Sequence, residues 1–154
     1  MEVTDLITPE SVILNLRATS KKQALQELAQ RAAKITGLHE RAIFDVLLER
    51  EKLGTTGVGA GVAIPHGKLD AVETLCGVFA KLEKPIDFEA IDERPVDLIF
   101  MLLAPESAGA DHLKALARIS RLLRDETICS KLRGCDTVEA IYALLIGADE
   151  AGGG

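Results

Sequence analysis

The chain has 154 residues, a length that fits one domain with its own core. Its 47% apolar and 27% charged residues describe a globule rather than a disordered chain, and no apolar run nears the ~20 residues of a membrane span. A net charge of −6, with no Trp and one Tyr, argues against a nucleic-acid surface, which needs a basic face and often stacking aromatics.

The N-terminal stretch MEVTDLITPE lacks the basic-then-apolar pattern of a signal peptide. The three cysteines, Cys76, Cys129 and Cys135, show no C-x-x-C spacing. The expectation is a cytoplasmic protein with reduced thiols and no membrane insertion.

In chain order, residues 1–10 read as an extended lead-in and Ser11–Leu16 as a short edge strand. Ser20-Lys-Lys-Gln23 has the form of a capping box, and Leu25, Leu28, Ala32 and Ile35 then recur at helical spacing. Gly37 suits the stop of that helix, and His39 follows as a surface residue. A second helix over about Glu40–Lys52 carries Ile43, Val46, Leu47 and Leu53 on one side and ends at Gly54. Val62–Ile64 reads as a strand running into Pro65-His66, where the missing amide of proline ends it or turns it to an edge.

Leu75–Leu82 reads as a strand and Pro85–Phe88 as a short strand or a turn. Val96–Leu103 is the most apolar run and reads as a buried central strand, broken by Pro105–Gly109. Asp111 then caps a helix at about 112–124, with Leu113, Leu116, Ile119 and Leu123 inward. Thr127–Leu132 reads as a short helix, and Asp136-Thr-Val-Glu139 as a further capped start before Ile141, Leu144 and Leu145. Residues 149–154 read as a disordered glycine-rich tail, which leaves 1–148 as the domain. Helices precede, flank and follow the strands without clean βαβ alternation, so the fold class is α/β, a mixed sheet with helices on its faces.

The most informative stretch is Leu53–Lys68, LGTTGVGAGVAIPHGK, with five glycines and two threonines around His66. It is not a Walker A loop: Gly61 and Gly67 enclose five residues rather than four, and Leu69 follows Lys68 where Ser or Thr is needed. It is not a dinucleotide fingerprint, because Gly57, Gly59 and Gly61 give G-x-G-x-G after a helix. There is no G-x-S-x-G elbow, and His39, His66 and His112 lack paired metal spacing.

What remains is a histidine presented by glycines. Without a Cβ in the way, closely spaced backbone amides can converge on an anion. Thr55 and Thr56 add hydroxyl donors, Arg50 offers a guanidinium fork, and Pro65 stiffens the backbone before His66. A neutral imidazole nitrogen is a competent nucleophile near neutral pH. His112 falls near the start of a predicted helix, where amides and dipole favour an anion. These parts describe a histidine that accepts and holds a phosphoryl group. Spacing alone leaves His112 equally readable as a polar residue at a helix start, and Arg50 as a solvated charge at a helix end.

Glu51–Gly67, EKLGTTGVGAGVAIPHG, resembles the active-site signature of the fructose/mannitol-type (type-2) enzyme IIA of the bacterial phosphoenolpyruvate phosphotransferase system. Pro85–Pro105 and Asp111–Leu123 are similar to that family's central strand region and second-histidine helix, so the resemblance covers nearly the whole chain except the glycine tail. The text LEREKLGTTGVGAGVAIPHGKL is most like the nitrogen-branch members.

The resemblance implies a single-domain sandwich with a mixed parallel and antiparallel sheet of about five strands. It implies that His66 takes the phosphoryl group on Nε2 from a phosphohistidine of a small HPr-like carrier. His112 would donate to the phosphate, Arg50 would pair with its charge, and Thr55, Thr56, Gly57 and Gly67 would complete the cradle. No cofactor or metal is implied, because two histidine nitrogens exchange the group directly. The nitrogen branch further implies regulated targets such as potassium-transport components and sensor kinases. Two rival readings are a sugar-branch IIA that passes phosphate to a IIB component, and a non-catalytic binding module like the cytoplasmic domains of some anion transporters.

Overall fold

The apolar run at Val96–Ala104 is the strand on which the sheet is built. The computed structural model describes residues 2–152. In chain order the elements are β1 (Val12–Leu16), α1 (Lys21–Thr36), α2 (Glu40–Lys52), β2 (Gly57–Gly59), β3 (Val62–Ala63) and β4 (His66–Lys68). There follow β5 (Cys76–Ile86), β6 (Val96–Ala104), α3 (Ala110–Leu123), α4 (Glu126–Arg133) and α5 (Val138–Gly152). The strand order is β1-β5-β6-β3-β2, with β4 also paired to β6. β5 and β6 are antiparallel, whereas β1 lies parallel to β5, and β3 and β4 lie parallel to β6. The sheet is therefore mixed, as expected, with six strands.

From Leu98 to Ala104, β6 can be apolar on both sides of the pleat because both of its faces are covered. Ile99, Met101 and Leu103 join the core beneath α1 and α2, while Leu98, Phe100 and Leu102 join the core beneath α3, α4 and α5. Burying each such side chain contributes ~1.5–3 kcal/mol, so this strand anchors both layers. No helix among the described residues is long and apolar enough to cross a membrane.

β3 and β4 hold one register along β6: Val62 pairs with Leu98 and His66 with Leu102. Pro65 interrupts the ladder because it lacks an N–H, but its carbonyl still accepts the Leu102 amide at 2.9 Å. Side chains alternate across a strand, so His66 falls on the same face as Val62 and Ile64, toward α3, and Gly67 on the face toward α2. This parity decides where the histidine points.

Several local expectations are corrected. Residues 3–5 and 9–11 form 3-10 turns rather than an extended lead-in, because Val3, Leu6 and Ile7 are buried against the sheet. The glycine-rich loop is a hairpin of β2 and β3 around Ala60 (φ 57°) and Gly61 (φ 82°), and His66 itself sits in a strand. The reading of Ser20 is half right: its Oγ accepts the Gln23 amide, but Gln23 Oε1 returns to Thr19.

Gly109 rather than Asp111 stands at the N-cap of α3. Ile119 and Leu123 are buried as expected, but in the first turn Leu113 is 68% exposed while His112 is buried. Leu53 lies beyond the end of α2 and is 85% exposed, not inward. The tail expectation fails at Asp149, which is buried in α5, accepts the Val3 amide and pairs with Arg118. Gly153 and Gly154 lie outside the described residues.

Candidate active site

His66 is half-buried on β4, and both ring nitrogens are engaged. Nδ1 lies 2.9 Å from the Ile64 carbonyl and Nε2 lies 3.3 Å from Arg50 Nε. A carbonyl only accepts, so Nδ1 carries the proton, and the Nε2 lone pair accepts from the guanidinium. Burial pushes the imidazole below its usual basicity, opposed by the hydrogen bond to Ile64; Arg50 lowers it further and Glu51 raises it. The resident form near neutral pH is thus the neutral ring with a nucleophilic Nε2.

Arg50 reaches this nitrogen from the last turn of α2, where a cation also complements the helix dipole. Its Nη1 donates to the Gly54 carbonyl at 2.8 Å, so one guanidinium ties the helix end to His66. Thr55 Oγ1 donates to the Phe88 carbonyl and accepts the Gly57 amide, both at 3.0 Å. Thr56 donates its amide and hydroxyl to the carboxylate of Glu51. Thr55 and Thr56 therefore line the cleft over His66 with their polar atoms already spent on holding the loop.

His112 is presented by the first turn of α3, with its ring centroid 5.6 Å from that of His66 and the rings at 68°. It is buried, and its Nε2 has no hydrogen-bond partner among the described residues. Burial, then the neighbouring His66 and Lys68, lower its pKa. A buried unpaired nitrogen is costly to keep unless a ligand satisfies it.

The glycines serve packing as well as conformation. At Gly67 a Cβ would overlap Val46 Cγ1 of α2, and at Gly57 it would lie 2.8 Å from Ala90 Cβ. Gly67 thus faces away from His66 and lets α2, with Arg50, approach the sheet.

The sequence reading brought Arg50, His66 and His112 together correctly in space but missed several neighbours. Val58, Ile64, Leu116 and Ser120 share the cleft of about 220 Å³ with His66. Leu116 and Ser120 continue the i, i+4 face that begins at His112, a spacing that identifies them in retrospect. Glu51 was also missed. Its sign was present: a carboxylate in the last turn of a helix opposes the dipole and so needs another reason to be there.

A mixed sheet between two helical layers, with a half-buried histidine held by an arginine, is the architecture of a phosphotransferase IIA protein. The chain belongs to the family described as phosphoenolpyruvate-dependent sugar phosphotransferase system, EIIA 2, which matches residues 5–147. Within that family it is similar to proteins named nitrogen regulatory protein. That of Bradyrhizobium diazoefficiens is 63% identical over 145 residues, covering 94% of this chain and 95% of that protein. That of Klebsiella oxytoca is 42% identical over 147 residues, covering 94% and 90%. The crystal structure of nitrogen regulatory protein IIA-Ntr from Neisseria meningitidis superposes with a TM-score of 0.88 at 34% identity, covering 93% of this chain and 98% of that one.

Proposed function

We propose that the protein is a nitrogen-branch phosphoryl carrier that accepts phosphate on His66 Nε2 from a phosphohistidine of an HPr-like protein. The observation that carries this reading is the state of the His66 ring. Nδ1–H is held by the Ile64 carbonyl, which leaves the Nε2 lone pair facing Arg50. In the transfer, the bond from Nε2 to phosphorus forms as the donor's nitrogen–phosphorus bond breaks, and the electron pair of that bond returns to the donor ring. Charge develops on the equatorial oxygens, so positioned donors provide most of the catalysis. Arg50 supplies a fixed cation, and His112 a buried nitrogen that donates to a phosphate oxygen once it carries the proton.

The rim of the site suits a protein partner. Leu53, Val58, Ile91 and Leu113 are large, exposed and apolar. Leu53, Val58 and Leu113 belong to the segments that carry Arg50, the hairpin and His112, and Ile91, in the β5–β6 connection, donates its amide to the Gly57 carbonyl of the hairpin. A phosphoryl group adds about −1.5 to −2 charge at the centre of this rim, which changes which surfaces can dock there. Regulation through that switch, toward targets such as potassium-transport components or sensor kinases, is the function we assign.

The test is incubation with phosphoenolpyruvate, enzyme I and either the nitrogen-branch or the sugar-branch carrier, read by intact mass. The expected result is one added phosphate with the nitrogen-branch carrier, lost in His66→Ala. Uptake from the sugar carrier followed by passage to a IIB component would assign the sugar branch instead. No uptake from either carrier would reduce the fold to a binding module.

A further inference from the structure

Behind His66 lies a buried charged cluster to which phosphoryl transfer assigns no role. Glu51 is only 3% exposed at its side chain, and Lys21, from the first turn of α1, meets it at 3.1 Å. The other bonds of the carboxylate go to Thr56: the amide at 3.0 and 3.2 Å, and the hydroxyl in a short contact. Lys21 Nζ also stands 5.1 Å over the Phe88 ring, and the Phe88 carbonyl accepts from Thr55 Oγ1 at 3.0 Å. The contacts close a ring through Lys21, Glu51, Thr56, Thr55 and Phe88.

We propose that Glu51 is a positioning residue: with Lys21 and Thr56 it locks the end of α2 and the Thr55–Val58 segment, so that Arg50 is held against His66. This rests on the transfer function proposed above and names a residue that it needs. Three otherwise separate segments meet at this one carboxylate: the start of α1, the end of α2 and the hairpin. Arg50 is its chain neighbour, so a shift at Glu51 moves the guanidinium relative to Nε2. A misplacement of about 1 Å costs transfer ~100-fold when geometry carries the catalysis. The carboxylate also acts on the nucleophile through space, raising the basicity of His66 against the effect of Arg50.

The test uses Glu51→Gln and Lys21→Met in the full chain. Glutamine keeps the shape and one acceptor but loses the charge that holds Lys21. Folding is checked by circular dichroism. Thr56 amide exchange and the His66 imidazole titration are read by NMR on the unphosphorylated protein, and transfer is read in single turnovers over a range of carrier concentrations. The expected result is a folded protein with faster Thr56 exchange in both variants and, in Glu51→Gln, a His66 midpoint moved down. The saturating transfer rate falls ~10–100-fold, with half-saturation by the carrier unchanged. The double variant should be no slower than the worse single one, because the two residues act as one unit.

Unchanged Thr56 exchange and His66 titration would overturn the inference, as would a loss confined to thermal stability with transfer at the wild-type rate. If the unsubstituted protein accepts no phosphate, the proposed function fails instead, and the two NMR readouts still decide the role of Glu51.

Discussion

Arg50 donates its Nε–H to His66 Nε2 over 3.3 Å while Nη1 holds the Gly54 carbonyl at 2.8 Å. One planar fork thus sets the distance from a helix end to the His66 ring. Lysine is a single point charge on a flexible stem and cannot span both partners. Arg50→Lys should therefore slow phosphate uptake ~10–100-fold, the equivalent of one charge-assisted hydrogen bond of ~1.5–3 kcal/mol. Rapid-quench single turnovers measure this; a wild-type rate would remove Arg50 from the mechanism.

His112 should show the opposite signs in stability and activity. Its Nε2 is buried and unpaired, so His112→Leu removes an unsatisfied group. The urea midpoint should hold or rise by the equivalent of ~1 kcal/mol, while transfer falls ~10–100-fold. A large loss of stability with normal transfer would make His112 a packing residue.

Gly67 predicts a suppressor. A Cβ there overlaps Val46 Cγ1, so Gly67→Ala should cost ~1–3 kcal/mol by overpacking and should lift α2, with Arg50, off the sheet. Val46→Ala in the same chain makes room and should recover most of both stability and transfer. A double variant no better than Gly67→Ala alone would mean that the amide of Gly67, not its missing side chain, is what matters.

The pH dependence follows from the direction of two shifts. Burial lowers the pKa of His66 and of His112 from the ordinary value of 6.5. Below that value the unfolded chain binds protons that the folded protein resists, so stability is full above pH 6.5 and declines as pH falls from there through the lowered folded values. Any fall in the uptake rate from protonation of Nε2 should come at a pH below 6.5, because the pKa of His66 is lowered. Urea midpoints of wild type and a His66→Ala, His112→Leu double variant between pH 5 and 8 check this. Parallel curves would show that neither ring is shifted.

Asp149 tests the end of the chain. It is 6% exposed, accepts the Val3 amide at 3.0 Å and pairs with Arg118 at 2.6 Å. Removing residues 149–154 should lower the melting temperature and free the N-terminal turn for proteolysis, at a cost of about 1–3 kcal/mol for the unpaired donors. An unchanged melting curve would restore the view of this segment as a loose tail.

Elements with a strong local cause were legible in the residue order. α2 begins and ends at the expected residues, Gly37 takes the left-handed cap that its position required, and the apolar run 96–103 is the buried strand. Errors fell where the cause is not local. Leu113 repeats at the right spacing to look buried, yet the start of α3 is set by the Gly109 bend and the contacts of His112, which turn that face outward. β2 and β4 are too short to carry a pattern, and they exist as strands only because β6 and each other supply ladder partners.

Residue order by itself determined which side chains this site has to work with: a histidine after Ile-Pro in a glycine-rich stretch, an arginine at the end of the preceding helix, and a second histidine near the start of a later one. Tertiary structure alone decided the geometry. The parity of β4 on β6 turns His66 toward α3 and Gly67 toward α2, and the hydrogen bond that Nδ1 donates to the Ile64 carbonyl leaves the Nε2 lone pair facing Arg50. The physical reason is range. Periodicity and capping act within a turn or two, whereas the meeting of Arg50, His66 and His112 depends on burial and pairing between segments that only the folded sheet brings together.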